Sequence, residues 1–281
     1  MNSEIRTKAR VGKIRYTNCI PFYSGLQEAS DVELYEDYPV RINQAMRQGK
    51  IDIAPVSSLE YLNHQKNYIL IPGFAIGARD FSGSVLLFSK EKIDNLNGAV
   101  IATTRESLSS VALLRILLKF KYKFENTFEA MPSNPVEMLS QHKAALVIGD
   151  DALFYQPKEF VYKYDLSELW WNWAEKPFCF ALWAVRREFA AEHPDEVIAF
   201  CNQLRKNLDR NLTDIESLIR QEMQLSFLDE KFSKVFGYLF NLNYGLDANV
   251  LEGLELFYRL ATRLKISPRQ KPLEFFGRSG A

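Results

Sequence analysis

Short apolar runs alternate with helical patterns along the first two thirds of the chain, and this alternation narrows the fold more than any other feature. VGKIRY (11–16) reads as a strand, followed by a short helix over PFYSGLQEA (21–29) with Pro21 suited to its first turn. VELYE (32–36) is a second strand. VRINQAMRQG (40–49) carries Val40, Ile42, Ala45 and Met46 at helical spacing, and Gly49 suits the position just past a helix end. IDIAPV (51–56) is a third strand, and SSLEYLNHQ (57–65) opens on a serine cap before turning helical. YILIPGFAI (68–76) and SVLLFSK (84–90) complete this first unit. Strands separated by helices imply βαβ units and a mostly parallel sheet.

A second series follows. AVIATT (99–104) is a strand, and ESLSSVALLRILLKF (106–120) is the strongest helix signal, with Val111, Leu114, Leu117 and Leu118 on one face. FENTFEAM (124–131) reads as a strand, and NPVEMLSQ (134–141) as a helix with Asn134 as cap and Pro135 in its first turn. AALVIGD (144–150) is a strand running into a turn, and DALFY (151–155) starts a helix, with Asp150 as its expected N-cap. PFCFALWAV (177–185) is apolar and extended, and is read as the strand that returns the chain to its first unit. Beyond it the pattern is nearly all helical, with starts at Pro194-Asp195, Asp229 and Asp247.

This order describes an α/β, two-lobed, periplasmic-binding-protein-like (type II) fold with a C-terminal helical wrap. Lobe 1 is expected over 1–90 and 182–281, and lobe 2 over 91–181. In such a fold the ligand sits between the lobes, at the C-terminal ends of the strands.

Composition excludes several classes of function. Lys+Arg and Asp+Glu both count 35 in 281 residues, so the basic excess of a nucleic-acid binder is missing. The basic residues near the C-terminus (Arg269, Lys271, Arg278) read as a solvated tail. The N-terminal MNSEIRTKARVGKIRY has no apolar core or small-residue cleavage site, so no signal peptide is expected there. No stretch approaches the roughly 18 apolar residues that span a bilayer. Cys19, Cys179 and Cys201 are few and odd in number, as expected of a reducing, cytoplasmic compartment. His64, His142 and His193 lie far apart and form no zinc-ligand spacing.

Four segments lie just after expected strands, where α/β sheets bind ligands: YTNCIP (16–21), VSSLEY (56–61), SGSV (82–85) with TTRESLSS (103–110), and IGDDAL (148–153). Their residues are small and neutral, among them Asn18, Ser57, Ser58, Gly83, Ser84, Thr104, Ser107, Ser109 and Gly149. Several can stand at helix N-termini, where roughly half a positive charge and free N–H groups can hold a carboxylate without a basic side chain. The alternative is that they are caps and turns. Asp52 reads as a structural hydrogen-bonder, and Trp170, Trp171 and Trp173 as packing. Cys19 sits beside the expected pocket with no accompanying His, which argues against a thiolate nucleophile. No GxGxxG follows the first strand, and GxxxxGK[ST] and GxSxG do not occur. An enzyme built here has to use positioning and neutral hydrogen-bond donors.

VGKIRYTNCIPFYSGL, RQGKIDIAPVSSLEY, SGSVLLFSK, ESLSSVALLRILL, AALVIGDDAL and DLSELWWNWAEKPFCFALWAV resemble, in that order, the blocks of the chorismate dehydratases of the futalosine route to menaquinone. The resemblance runs over residues 11 to 187. It departs at Thr17, where those enzymes commonly carry leucine, and at Glu175-Lys176, which replaces a Thr-Gly. The related cyclase of that route opens on a segment like SPCPNDT, which is missing here.

The resemblance implies conversion of chorismate, a dicarboxylate, to 3-[(1-carboxyvinyl)oxy]benzoate and water. It implies no cofactor and no metal. It makes Asn18 and Ser84 catalytic, orienting the leaving hydroxyl. Ser57, Ser107 and Ser109 hold the two carboxylates, and Ser58, Gly83, Thr104, Gly149 and Asp150 complete the substrate site. The rival readings are a non-catalytic solute-binding protein of the same fold, another enzyme of the same route, and the effector lobe of a transcription regulator. The last would need a helix-turn-helix ahead of the first strand, where only about ten residues stand.

Overall fold

The computed structural model describes residues 8–26 and 32–277. The end of the helix expected over 21–29, the N-terminal stretch to Thr7 and Arg278 lie outside the described residues. The strands, in chain order, are β1 (Ala9–Ile14), β2 (Val32–Asp37), β3 (Ile53–Ser57), β4 (Tyr68–Ala78), β5 (Val85–Ser89), β6 (Val100–Thr104), β7 (Thr127–Met131), β8 (Ala144–Ile148), β9 (Tyr162–Asp165), β10 (Phe178–Arg186) and β11 (Leu242–Asn243).

They form two sheets. One has the order β11-β4-β10-β3-β1-β2, the other β7-β6-β8-β5-β9. The chain leaves the first sheet after β4, builds the second from β5 to β9, and returns with β10, which inserts antiparallel between β3 and β4. The return strand expected over 177–185 is therefore in place.

Two expectations are corrected. The strand over 84–90, expected in the first unit, belongs to the second sheet: Val85–Ser89 pairs antiparallel with both β8 and β9. The strand is buried on both faces, with Leu86 and Phe88 in a separate small cluster beside Met138 and Val147. Such an unbroken apolar run fits the middle of either sheet, so its pattern could not assign it. The sheets are also mixed rather than mostly parallel. β1 runs parallel to β2 and β3, and β6 to β7 and β8, as helical crossovers require. The strands that carry the chain across, β4, β5, β9 and β10, make antiparallel pairs.

Local chemistry explains the helices. Asn134 caps Pro135–Gln141 by accepting from Glu137 N at 3.2 Å, and Asp247 caps Ala248–Arg263 by accepting from Val250 N at 2.9 Å. The helix expected over 106–120 runs from Leu108 to Ile116 and ends in a π-turn over Leu117–Lys121. It buries Ala112, Leu113, Leu114, Ile116, Leu117 and Leu118, so it is apolar over most of its circumference and lies inside the protein.

The helices after β10 pack on both units. Gly253 of Ala248–Arg263 meets the segment that re-enters the first sheet. A Cβ there would fall 2.0 Å from Pro177 O, so only glycine lets the helix approach the crossing. Asp52 is structural, as expected: its buried carboxylate accepts from Arg10 Nε at 2.8 Å and from Arg186 at 3.2 Å. Trp170 is fully buried, and Trp171 stands beneath the Arg79 guanidinium at 5.0 Å.

Candidate active site

After β1 the backbone stays extended at Tyr16 and then tightens into a 3-10 turn over Thr17–Cys19, which carries Asn18. Pro21 stands in the first turn of the next short helix, Ile20–Tyr23, where its preset φ fits. This short helix is gripped from behind by the long helix Pro194–Thr213. Asn207 Nδ2 donates to Phe22 O at 2.7 Å, and Asn211 Nδ2 donates to Pro21 O at 2.9 Å and Ser24 O at 3.0 Å.

Ser84 stands just ahead of β5 and behind Gly83, whose φ of +71° favours glycine. One side chain holds this corner. Asp165 accepts from Gly83 N at 2.6 Å, Ser82 N at 3.1 Å and Ser82 Oγ at 3.0 Å. The same carboxylate caps Leu166–Ala174 by accepting from Ser167 N at 2.8 Å. Burial pushes its carboxyl above the usual range, and the donors from Gly83, Ser167 and Ser82 pull it back. Gly149 N donates to Ser84 O at 2.7 Å and fixes the corner from the neighbouring strand end.

The helix Glu230–Asn241 brings a residue that sequence reasoning missed. Tyr238 packs its ring beside the Gly83 corner, and the nearest side-chain partners for its hydroxyl are Ser84 and Asn18. Its hydroxyl and Asn18 Oδ1 are each buried without a hydrogen-bond partner among the described residues. Burial raises the Tyr238 phenol, so it stays protonated and can only donate its proton or accept on oxygen. Asn18, Ser84 and Tyr238 thus converge from β1, β5 and the C-terminal helices. Nothing in the sequence marked Tyr238, which reads as one more aromatic on an amphipathic helix.

Three hydrogen bonds join the segments around this point. Thr17 N donates to Asp150 Oδ1 at 3.2 Å, Leu59 N donates to Ser109 Oγ at 2.9 Å, and the Tyr16 hydroxyl donates to the Glu106 carboxylate. Gly149 (φ +62°) lets the Tyr16 ring lie against the backbone, since a Cβ there would fall 2.7 Å from the ring. Burial raises the carboxyls of both Asp150 and Glu106, opposed in each case by these donors.

The remaining expected site residues fall into two groups. Ser57 and Ser109 are buried, and each Oγ accepts a backbone N–H at the start of Ser58–His64, from Glu60 and Leu59 respectively. Neither hydroxyl proton is used in a hydrogen bond among the described residues, so both can donate to a ligand. The others are engaged in holding the frame. Ser58 donates to Cys179 O at 2.5 Å, Ser107 caps its helix and donates to Ser110 Oγ at 2.9 Å, and Thr104 Oγ1 accepts from Glu106 N at 3.1 Å. Gly83 and Gly149 spend their N–H groups on Asp165 and Ser84 O. Asp150 does not cap the helix Gly149–Phe154 as expected. It lies in the first turn, and its carboxylate is drawn off to Thr17 N.

Burial pushes the Cys19 thiol well above its usual range, and Cys179 up to about 12, so neither supplies a thiolate near neutral pH. No group of three or more His, Cys, Asp or Glu side chains that could hold a metal occurs among the described residues. No described helix is long and apolar enough to cross a membrane.

A family model described as menaquinone biosynthesis matches residues 9–263. A chorismate dehydratase from Thermus thermophilus is 33% identical over 194 residues, which cover 63% of this chain and 70% of that protein. Among solved structures, a protein from Archaeoglobus fulgidus superposes with a TM-score of 0.71 at 19% identity, covering 92% of this chain and 98% of that one. The alkanesulfonate-binding protein SsuA from Xanthomonas axonopodis, bound to MOPS, gives 0.68 at 14% identity over 95% of this chain and 96% of its own. A Candida albicans gene product described as having the generic periplasmic binding protein fold gives 0.59 at 11% identity over 98% and 99%. The periplasmic-binding-protein-like fold expected from the element order is therefore the fold observed.

Proposed function

The chain belongs to the menaquinone-biosynthesis family, and from that premise we propose that it is a hydro-lyase, removing water from chorismate to give 3-[(1-carboxyvinyl)oxy]benzoate. The observation that carries the reading is the convergence of Asn18 and Ser84, each at a strand end, on one buried point where polar atoms lack protein partners. Buried polar groups without partners cost stability, and functional sites are where proteins retain them.

The chemistry suits neutral groups. The chorismate ring carries a hydroxyl at C4 and a hydrogen at C3. Losing both makes the ring aromatic, so the product strongly favours the reaction. The enzyme has to hold one ring conformation and help the hydroxyl leave. In this reading Asn18 and Ser84 hydrogen-bond the reacting region. Ser57 and Ser109 donate to the carboxylates beside the N-terminus of Ser58–His64, and Ser107 holds the start of the facing helix. Ser58, Gly83, Thr104, Gly149 and Asp150 fix the backbone around them. The C3 proton goes to the substrate's own enolpyruvyl carboxylate.

We read the ligand as enclosed between lobes built on the two sheets, and the protein as cytoplasmic. Its three cysteines are unpaired, which suits a reducing compartment. The test is product analysis after incubation with chorismate. The wild type is expected to form the new aromatic absorbance, and Asn18→Ala to form it roughly 10²–10³ more slowly, as for loss of an oxyanion-hole donor. Chorismate recovered intact from the wild type refutes the assignment and favours a binding protein. Full turnover by a folded Asn18→Ala refutes the role of that side chain.

A further inference from the structure

The Tyr238 hydroxyl occupies a position that folding alone does not account for. It is buried and without a partner among the described residues, although the phenol of Tyr244, just past β11, is satisfied by Leu239 O at 3.1 Å. The Tyr23 hydroxyl likewise donates to Gly12 O at 2.5 Å, and Tyr258 to Ser58 O at 2.8 Å. The protein thus satisfies these three phenols with backbone carbonyls, and those of Tyr16 and Tyr68 with the carboxylates of Glu106 and Glu60. Tyr238 instead points its oxygen at the two side chains placed at the reacting region. Asn18 Oδ1, facing the same region, is likewise buried without a hydrogen-bond partner among the described residues.

We infer that Tyr238 is a further catalytic residue, donating a hydrogen bond to the C4 oxygen of chorismate as it departs. The inference rests on the dehydratase reading. The bond changes balance without any co-reactant. The C3–H electrons become the new ring π bond, the C4–O electrons leave with the oxygen, and the proton taken from C3 ends on that oxygen as water. Tyr238 keeps its own proton and meets the charge that develops on the departing oxygen. A preformed donor in a dry site acts most strongly where charge appears in the transition state rather than in the bound substrate. Asn18 and Ser84 orient the hydroxyl from the two sheets, and Tyr238 approaches from the helical wrap.

Tyr238→Phe tests this with one atom removed and the ring retained. Turnover of chorismate is expected to fall by roughly 10²–10³ in kcat with KM changed by less than about threefold. The melting temperature is expected to stay level or to rise, because the hydroxyl lost had no partner to lose. A purely structural hydroxyl would give the opposite pair, a lowered melting temperature with turnover per folded molecule retained. Tyr238→Phe turning over at the wild-type rate overturns the inference while the dehydratase reading stands. A wild type that leaves chorismate intact overturns the dehydratase reading itself, and this inference with it. Tyr244→Phe, whose hydroxyl is bonded to backbone, is the control: it should lose stability and keep kcat.

Discussion

Asp165 is the residue whose loss should couple stability to activity most directly. Its carboxylate serves the Ser82-Gly83 corner and the start of Leu166–Ala174 at once. Asp165→Ala leaves the N–H groups of Ser82, Gly83 and Ser167 without their acceptor. Ser82 and Ser167 are almost fully buried, so water cannot readily replace it there. A buried donor left unsatisfied costs about 1–3 kcal/mol, and the half-exposed Gly83 N–H regains water cheaply. The expected loss is about 3–5 kcal/mol in urea denaturation. In a chain of this size that is roughly 5–9 °C in melting temperature. Ser84 follows the corner directly, so turnover of the protein that remains folded should fall as well. Asp165→Asn should lie between, because one oxygen still accepts while the new NH2 faces donors. A folded Asp165→Ala within about 1 kcal/mol of wild type, with unchanged turnover, would show that this carboxylate does not hold the corner.

Two further perturbations follow from the same structure. Burial raises the Glu106 carboxyl, so the folded state holds that proton more tightly than the unfolded chain, and the stability linked to it is fullest below the ordinary value of 4.5 and declines as pH rises through the raised one. Glu106→Gln keeps an acceptor for Tyr16 and removes the ionisation, so its melting temperature should exceed wild type at pH 8 and match it at pH 4; no pH dependence in that difference would refute the linkage. Gly253→Ala sets a methyl 2.0 Å from Pro177 O, a backbone atom that cannot yield, and should cost at least about 2 kcal/mol by thermal denaturation.

Much of the fold was legible because strands, caps and breaks obey local rules. Pro135 and Asn134 mark a helix start, and Gly49, observed at φ +68°, marks an end. The alternation of strand and helix identified the two units and the return through β10. What local pattern could not supply was partnership. Val85–Ser89 is buried on both faces and carries no local sign that the second sheet, not the first, takes it. Asp150 is well placed for capping, but Thr17 N, far away in sequence, competes for its carboxylate. The site itself was half legible. Asn18, Ser57, Ser84 and Ser109 were marked by lying after strands, where neutral polar residues are conspicuous. Tyr238 lies on a helix buried through Phe232, Val235 and Leu239, and its hydroxyl is visible only once the wrap is seen to cross the strand ends.

The grip of Asn207 and Asn211 on the Pro21–Ser24 backbone has a consequence for biosynthesis. A ribosome makes Asn18 first and its anchors almost two hundred residues later, with Tyr238 later still. All strands but β11 can pair before then, but the helix that follows the Asn18 turn lacks its rear support until the wrap emerges. Partly made chains should therefore fold into recognisable sheets while remaining inert toward substrate, and competence arrives as a single late event in translation.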